Sequence, residues 1–79
     1  MGHRVVLYSR PGCHLCDVAR DVVLAERARA PFVFEEIDVE SDDELELEYG
    51  IRIPVVEIDG AEAFEVAVDA MELRALLTD

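Results

Sequence analysis

The chain is predicted to form an α/β domain: a four-stranded mixed sheet with helices on both faces, in the order β-α-β-α-β-β-α. Three observations predict it. An apolar run breaks at Pro11-Gly12 and gives way to helical spacing from His14. A helix-start signal, Ser41-Asp42-Asp43-Glu44, separates two further strand-like runs. The dipeptide Asp59-Gly60 then stands between the last two such runs, as a two-residue hairpin turn does.

Each element has a local reason. Arg4 to Ser9 (RVVLYS) is a short apolar run closed by turn residues, which reads as a buried strand. Leu15, Val18, Ala19, Val22 and Ala25 follow at helical spacing. Asp17 and Asp21 in the early turns and Arg27 and Arg29 in the last suit the helix dipole, and Pro31 stops the helix. Phe32 to Val39 is a second strand, and the first strand–helix–strand unit is expected to be parallel and right-handed. Ser41 to Glu44 is a capping box for a short helix whose apolar pair is Leu45 and Tyr49, with Gly50 just past its end. Ile53 to Ile58 and Ala61 to Val66 form the hairpin. Asp69 caps a last helix whose inner face is Leu73, Leu76 and Leu77.

At 79 residues the chain has room for one domain, residues 1–79, with a modest core. A chain of this size buries only about 60% of its unfolded surface. A hydrophobic fraction of 52% argues for a packed globule and against disorder. No apolar run approaches a membrane span. The opening holds an apolar stretch of only four residues, Val5 to Tyr8, so it does not read as a signal peptide, and Val6 stands where a myristoylation motif wants Ser or Thr. The cytoplasm is the expected address and a monomer the expected state. Net charge is −12, unevenly spread: residues 1–34 carry five Arg and three acids, residues 35–79 two Arg and sixteen acids. Nucleic acid and membrane are not expected partners, the former because such a surface repels phosphates. Residues 35–48 hold nine acids and no base, which reads as a solvated face or a dock for a basic partner.

The chemistry sits in Arg10-Pro11-Gly12-Cys13-His14-Leu15-Cys16-Asp17, which holds both cysteines of the chain. Cys13 follows a strand and a turn and opens a helix, so its sulfur faces free backbone N–H groups and the positive end of the dipole. Such a setting lowers a thiol pKa from its ordinary value of about 8.5. Arg10 and a protonated His14 add positive charge nearby. Cys16 lies one turn on, deeper and beside the apolar stripe, within reach of a disulfide with Cys13. Cys13 is the candidate attacking thiol and Cys16 the resolving one. Pro54, early in the third strand, cannot donate a ladder bond. A cis Ile53–Pro54 bond would present the Ile53 peptide group toward the cysteines, where an extended substrate segment could pair with it.

VVLYSRPGCHLCDVAR, EEIDV and IPVVEIDG together resemble the glutaredoxin branch of the thioredoxin superfamily, most of all its short bacterial glutaredoxin-like proteins. The resemblance runs over nearly the whole chain and implies a minimal thioredoxin fold. It implies a thiol–disulfide oxidoreductase with Cys13 as nucleophile, Cys16 as resolving thiol, Pro54 as cis-proline and Arg10 contacting the carboxylate of a thiol cofactor. Pro11, His14, Leu15 and Ile53 would complete the substrate-binding rim. Two departures stand out. His14-Leu15 replaces the usual aromatic residue between the cysteines. Phe64-Glu65-Val66-Ala67-Val68-Asp69 lacks the usual Gly-Gly, leaving Asp69 to stand for the acidic part of the glutathione seat. The implied substrates are protein disulfides or mixed disulfides with small thiols, and no tightly bound cofactor is implied. The reductant is glutathione, another low-molecular-weight thiol, or a reductase.

Two other classes fit the same residues. The Cys-x-x-Cys is half a structural zinc site, or part of an iron–sulfur cluster shared between two chains, so a metal or cluster carrier is one alternative. A redox-silent acidic binding module is the other, since fold does not settle function.

Overall fold

The computed structural model describes residues 2–78. Strands β1 (Arg4–Ser9), β2 (Val33–Asp38), β3 (Val55–Ile58) and β4 (Ala61–Glu65) form one sheet in the order β2-β1-β3-β4. β1 pairs parallel with β2 and antiparallel with β3, and β3 pairs antiparallel with β4. Helix α1 (His14–Arg29) makes the crossover from β1 to β2. After β2 come a 3-10 turn (Val39–Ser41) and helix α2 (Asp43–Tyr49), and helix α3 (Ala70–Leu76) closes the chain.

The central strand β1 explains why helices cover both faces. Its residues are apolar on both sides, as a strand buried on two faces requires. Val5 and Leu7 enter one core with Ala19 and Val23 of α1, Val56 of β3, and Leu73 of α3. Tyr8 enters the second core with Val39 and Val55, against which Val6, Leu45 and Tyr49 also pack. So α1 and α3 lie on one face and α2 on the other. Leu7 and Leu73 are fully buried, worth about 1.5–3 kcal/mol each. The second core is fastened by polar tips: Tyr8 and Tyr49 stack at 4.0 Å, and both hydroxyls donate to Glu57, at 3.2 and 3.0 Å. Burial holds both phenols above their ordinary pKa. Arg52 lies over the Tyr49 ring and bonds Glu62 and Glu65, tying α2 to the edge strand β4.

Several expectations shift by a residue. The buried stripe of α1 is Cys16, Ala19, Val23 and Glu26, whereas Leu15 and Val18 are half exposed. The reason is tertiary: Arg74 of α3 satisfies Glu26 with two hydrogen bonds of 2.9 Å, so a carboxylate takes the fourth inward position. The cap of α2 is Asp42, whose carboxylate accepts the Glu44 N–H at 2.7 Å. Ser41 instead donates to the Asp38 carbonyl inside the 3-10 turn, which consumes the expected capping residue. Gly50 ends α2 in a right-handed conformation, φ −53°, so no left-handed cap forms. Leu76 is exposed, leaving Leu73 and Leu77 to face the core. The β3–β4 turn has Asp59 at φ 53° and Gly60 at φ 88°, the positive pair a two-residue hairpin needs.

Candidate active site

The site stands at the end of the sheet where β1 stops. A turn follows, with the Cys13 N–H donating to the Arg10 carbonyl at 3.3 Å and Gly12 at φ 78°. That positive φ is what the third residue of such a turn demands, and glycine adopts it without cost. The turn delivers Cys13 as the N-cap of α1, in extended backbone, φ −92° and ψ 109°. Its sulfur accepts the Cys16 N–H at 3.1 Å. One of the helix's free N–H groups is therefore satisfied by sulfur instead of an oxygen cap.

Cys13 and Cys16 are joined as a disulfide, with Cα atoms 5.2 Å apart. The two ends of the bond differ in access. Cys13 sits at the rim, and Cys16 is fully buried. The shift of the α1 stripe puts Cys16 inside the buried face of the helix, deeper than its expected place beside it. His14, Leu15 and Pro11 are exposed around Cys13.

The neighbouring strands bring the other segments to the same end. Tyr8 of β1 lies opposite Val55 of β3, and continuing that register sets Pro54 beside Ser9. The Ile53–Pro54 peptide is cis. Pro54 is buried and Ile53 half-buried. The Pro54 carbonyl accepts the Val66 N–H at 2.7 Å, which anchors the segment after β4 here as well. Val66 has φ 71°. The backbone thus takes a glycine-type conformation within the stretch that lacks Gly-Gly. Asp69 is the N-cap of α3, its carboxylate accepting the Glu72 N–H at 3.0 Å.

Arg10 is engaged on arrival. Its guanidinium ion-pairs with Glu46 of α2, and its Nε lies 3.4 Å from Glu40. Beside it a cleft of about 360 Å³ opens between β1, β2 and α1, bordered by Arg10, Gly12, Arg20, Glu36 and Asp38. Within it Arg20 forks onto Glu36 at 2.5 and 2.7 Å and reaches Asp17 at 2.8 Å, while Ser9 donates to Glu36 at 2.7 Å. The Arg20 hydrogen bonds hold the Glu36 carboxyl below the usual carboxylate range, against the opposing effect of its burial. Glu36, Glu40 and Glu46 belong to the acidic stretch 35–48, which in the sequence reads as a solvated face or a dock for a basic partner. Strand parity was the available signal for Glu36, which shares the α1-facing side of β2 with Phe34. Nothing local foretold the pairing of Glu46 with Arg10. Among the described residues, no group of three or more His, Cys, Asp or Glu side chains is placed to hold a metal ion.

Residues 4–78 match the family model described as Glutaredoxin-like domain (DUF836). The chain belongs to this glutaredoxin-like family. Solved structures agree. Protein Ne2328 from Nitrosomonas europaea is similar at a TM-score of 0.85 and 25% identity, over 99% of this chain and 94% of that one. Protein XcR50 from X. campestris is 39% identical, with a TM-score of 0.76, over 92% of this chain and 93% of that one. A thioredoxin from Halobacterium salinarum shares the fold, with a TM-score of 0.70 and 24% identity over 95% of this chain and 71% of that one. No curated protein matches. The glutaredoxin-like chain is therefore a minimal thioredoxin fold, and its Cys13–Cys16 pair at the helix start supports a redox-type thiol function.

Proposed function

We propose that the protein is a dithiol thiol–disulfide oxidoreductase. The observation that carries this reading is the asymmetry of the two sulfurs: Cys13 at the rim on a helix N-terminus, Cys16 buried behind it. In the reduced protein the Cys13 thiolate, stabilised by the α1 N–H groups, attacks one sulfur of a substrate disulfide. The substrate disulfide breaks and its other sulfur leaves as a thiolate that solvent protonates. A mixed disulfide on Cys13 remains, held next to Ile53 and Pro54. Cys16 gives up its proton and attacks the Cys13 sulfur, releasing the second substrate thiol. Two electrons have passed to the substrate, and Cys13–Cys16 is oxidised. An external low-molecular-weight thiol, glutathione included, or a reductase then returns the two electrons.

The test is turnover of a model disulfide by the purified protein with a thiol or reductase as donor. Cys13→Ser is expected to lose turnover entirely. Cys16→Ser is expected to accumulate a covalent mixed disulfide visible by intact mass. Full turnover by Cys13→Ser would overturn the mechanism.

A further inference from the structure

All seven arginines of this chain are engaged, and this decides what charge the site offers. Arg4 ion-pairs with Glu35, Arg20 with Glu36 and Asp17, Arg52 with Glu48, Glu62 and Glu65, and Arg74 with Glu26. Arg29 lies 4.0 Å from Glu26, and Arg27 donates to the Phe32 carbonyl at 2.9 Å. Arg10, the arginine nearest in sequence to Cys13, is held by Glu46 and Glu40. The cleft beside the Cys13 turn therefore contains two cations, Arg10 and Arg20, and three acids, Asp17, Glu36 and Asp38. Counting Glu40 and Glu46 on Arg10, four carboxylates pair with two guanidinium groups, and Asp38 lines the cleft beside them. Glu46 is the strongest hold on Arg10, and it reaches across from α2.

From this we infer that the charged groups beside the Cys13 turn select the thiol or disulfide that reacts at Cys13, favouring a cationic group next to the reacting sulfur and disfavouring a carboxylate, with Glu46 as the specificity-determining residue. Glu46 withdraws the charge that a carboxylate-bearing thiol would otherwise meet on Arg10. The inference rests on the oxidoreductase reading and names the substrate class of that same site. In the step concerned, a small thiolate attacks Cys13 Sγ and Cys16 leaves as thiolate. A second thiolate then attacks the mixed disulfide, yielding the small disulfide and the reduced, reprotonated Cys13–Cys16 pair. Each thiolate reaches Cys13 within the field of these neighbouring charges, so the charge on its tail changes the rate constant.

The experiment measures reduction of the oxidised protein by cysteamine, 2-mercaptoethanol and 3-mercaptopropionate, as rate constants per thiolate at low and high ionic strength. The expected order at low salt is cysteamine, then mercaptoethanol, then mercaptopropionate, with the spread narrowing at high salt. Glu46→Gln is expected to raise the mercaptopropionate-to-cysteamine ratio about 5-fold. Glu35→Gln removes the same charge and frees Arg4 at the far end of β1, about 15–20 Å away along the strand, and is expected to change that ratio less than about 2-fold. If all three thiols react at rates set only by their nucleophilicity, the oxidoreductase reading stands and charge selection is overturned. An equal effect of both glutamine variants would overturn the role of Glu46. If no thiol reduces the bond, the oxidoreductase reading falls and this inference falls with it.

Discussion

At the scale of single residues, the structure turns on side chains that hold another group in place. Glu26 is 6% exposed on α1 and bonds Arg74 through both oxygens, so its carboxyl is held below the usual range by those hydrogen bonds. A carboxylate whose folded pKa is depressed adds stability above its unfolded pKa and loses it as pH falls through the folded one. Glu26→Gln is therefore expected to lower the melting temperature at neutral pH. The gap from the parent protein should shrink below about pH 4, where the unfolded carboxyl is already protonated. Thermal melts of both proteins across pH 2.5–7 would check it; a gap constant over that range would contradict it. Val66 makes a second case. A β-branched residue at φ 71° is strained by about 1–2 kcal/mol, and the side chain is half exposed. Glycine would remove that strain against a cost of about 0.5–1 kcal/mol in unfolded-chain entropy. Val66→Gly is expected to be stabilising by up to about 1 kcal/mol, measured by urea unfolding.

At the scale of elements, the short helices depend on caps and contacts. A helix of seven residues is far below the length that is stable alone, so α3 exists because Leu73 reaches the core and Asp69 caps it. Asp69→Ala is expected to cost about 0.5–2 kcal/mol. Leu73→Ala, which empties a fully buried site, should cost about 2–5 kcal/mol. Chemical denaturation distinguishes the two by size. Asp69→Ala also separates roles: if Asp69 only caps α3, disulfide turnover should follow the folded fraction and no more. The turn before Cys13 works by the same logic. β1, the Pro11-Gly12 turn and the N-cap sulfur act as one unit, because the Gly12 conformation decides where α1 starts and so which of its faces meets the sheet.

At the scale of the whole molecule, charge dominates. A net charge of −12 over 79 residues destabilises the compact state through self-repulsion, only partly relieved by the arginine pairs. Added salt is expected to raise the melting temperature, since screening weakens the many unpaired repulsions more than the few close pairs. A melting temperature that falls steadily with salt would mean the pairs outweigh the repulsion. The same imbalance reaches the candidate site, where the arginines beside Cys13 are taken by acids from α1, α2, β2 and the 3-10 turn.

By itself the sequence determined the order of elements, the hairpin at Asp59-Gly60, the stop at Pro31, the cap at Asp69 and the place of both cysteines at a helix start. These were legible because each rests on a few neighbouring residues whose chemistry acts through local backbone geometry. Tertiary structure alone decided the rest: that Cys16 lies in the buried stripe, that Glu26 is admitted to it by Arg74, and that Arg10 is held by Glu46. Each depends on a partner from another element, and for the two ion pairs that partner is 36 or more residues away. Helical periodicity fixes the angle between side chains on one helix, but only packing fixes which way that helix is turned. A row of acids likewise reads as solvated surface until the fold brings arginines against it.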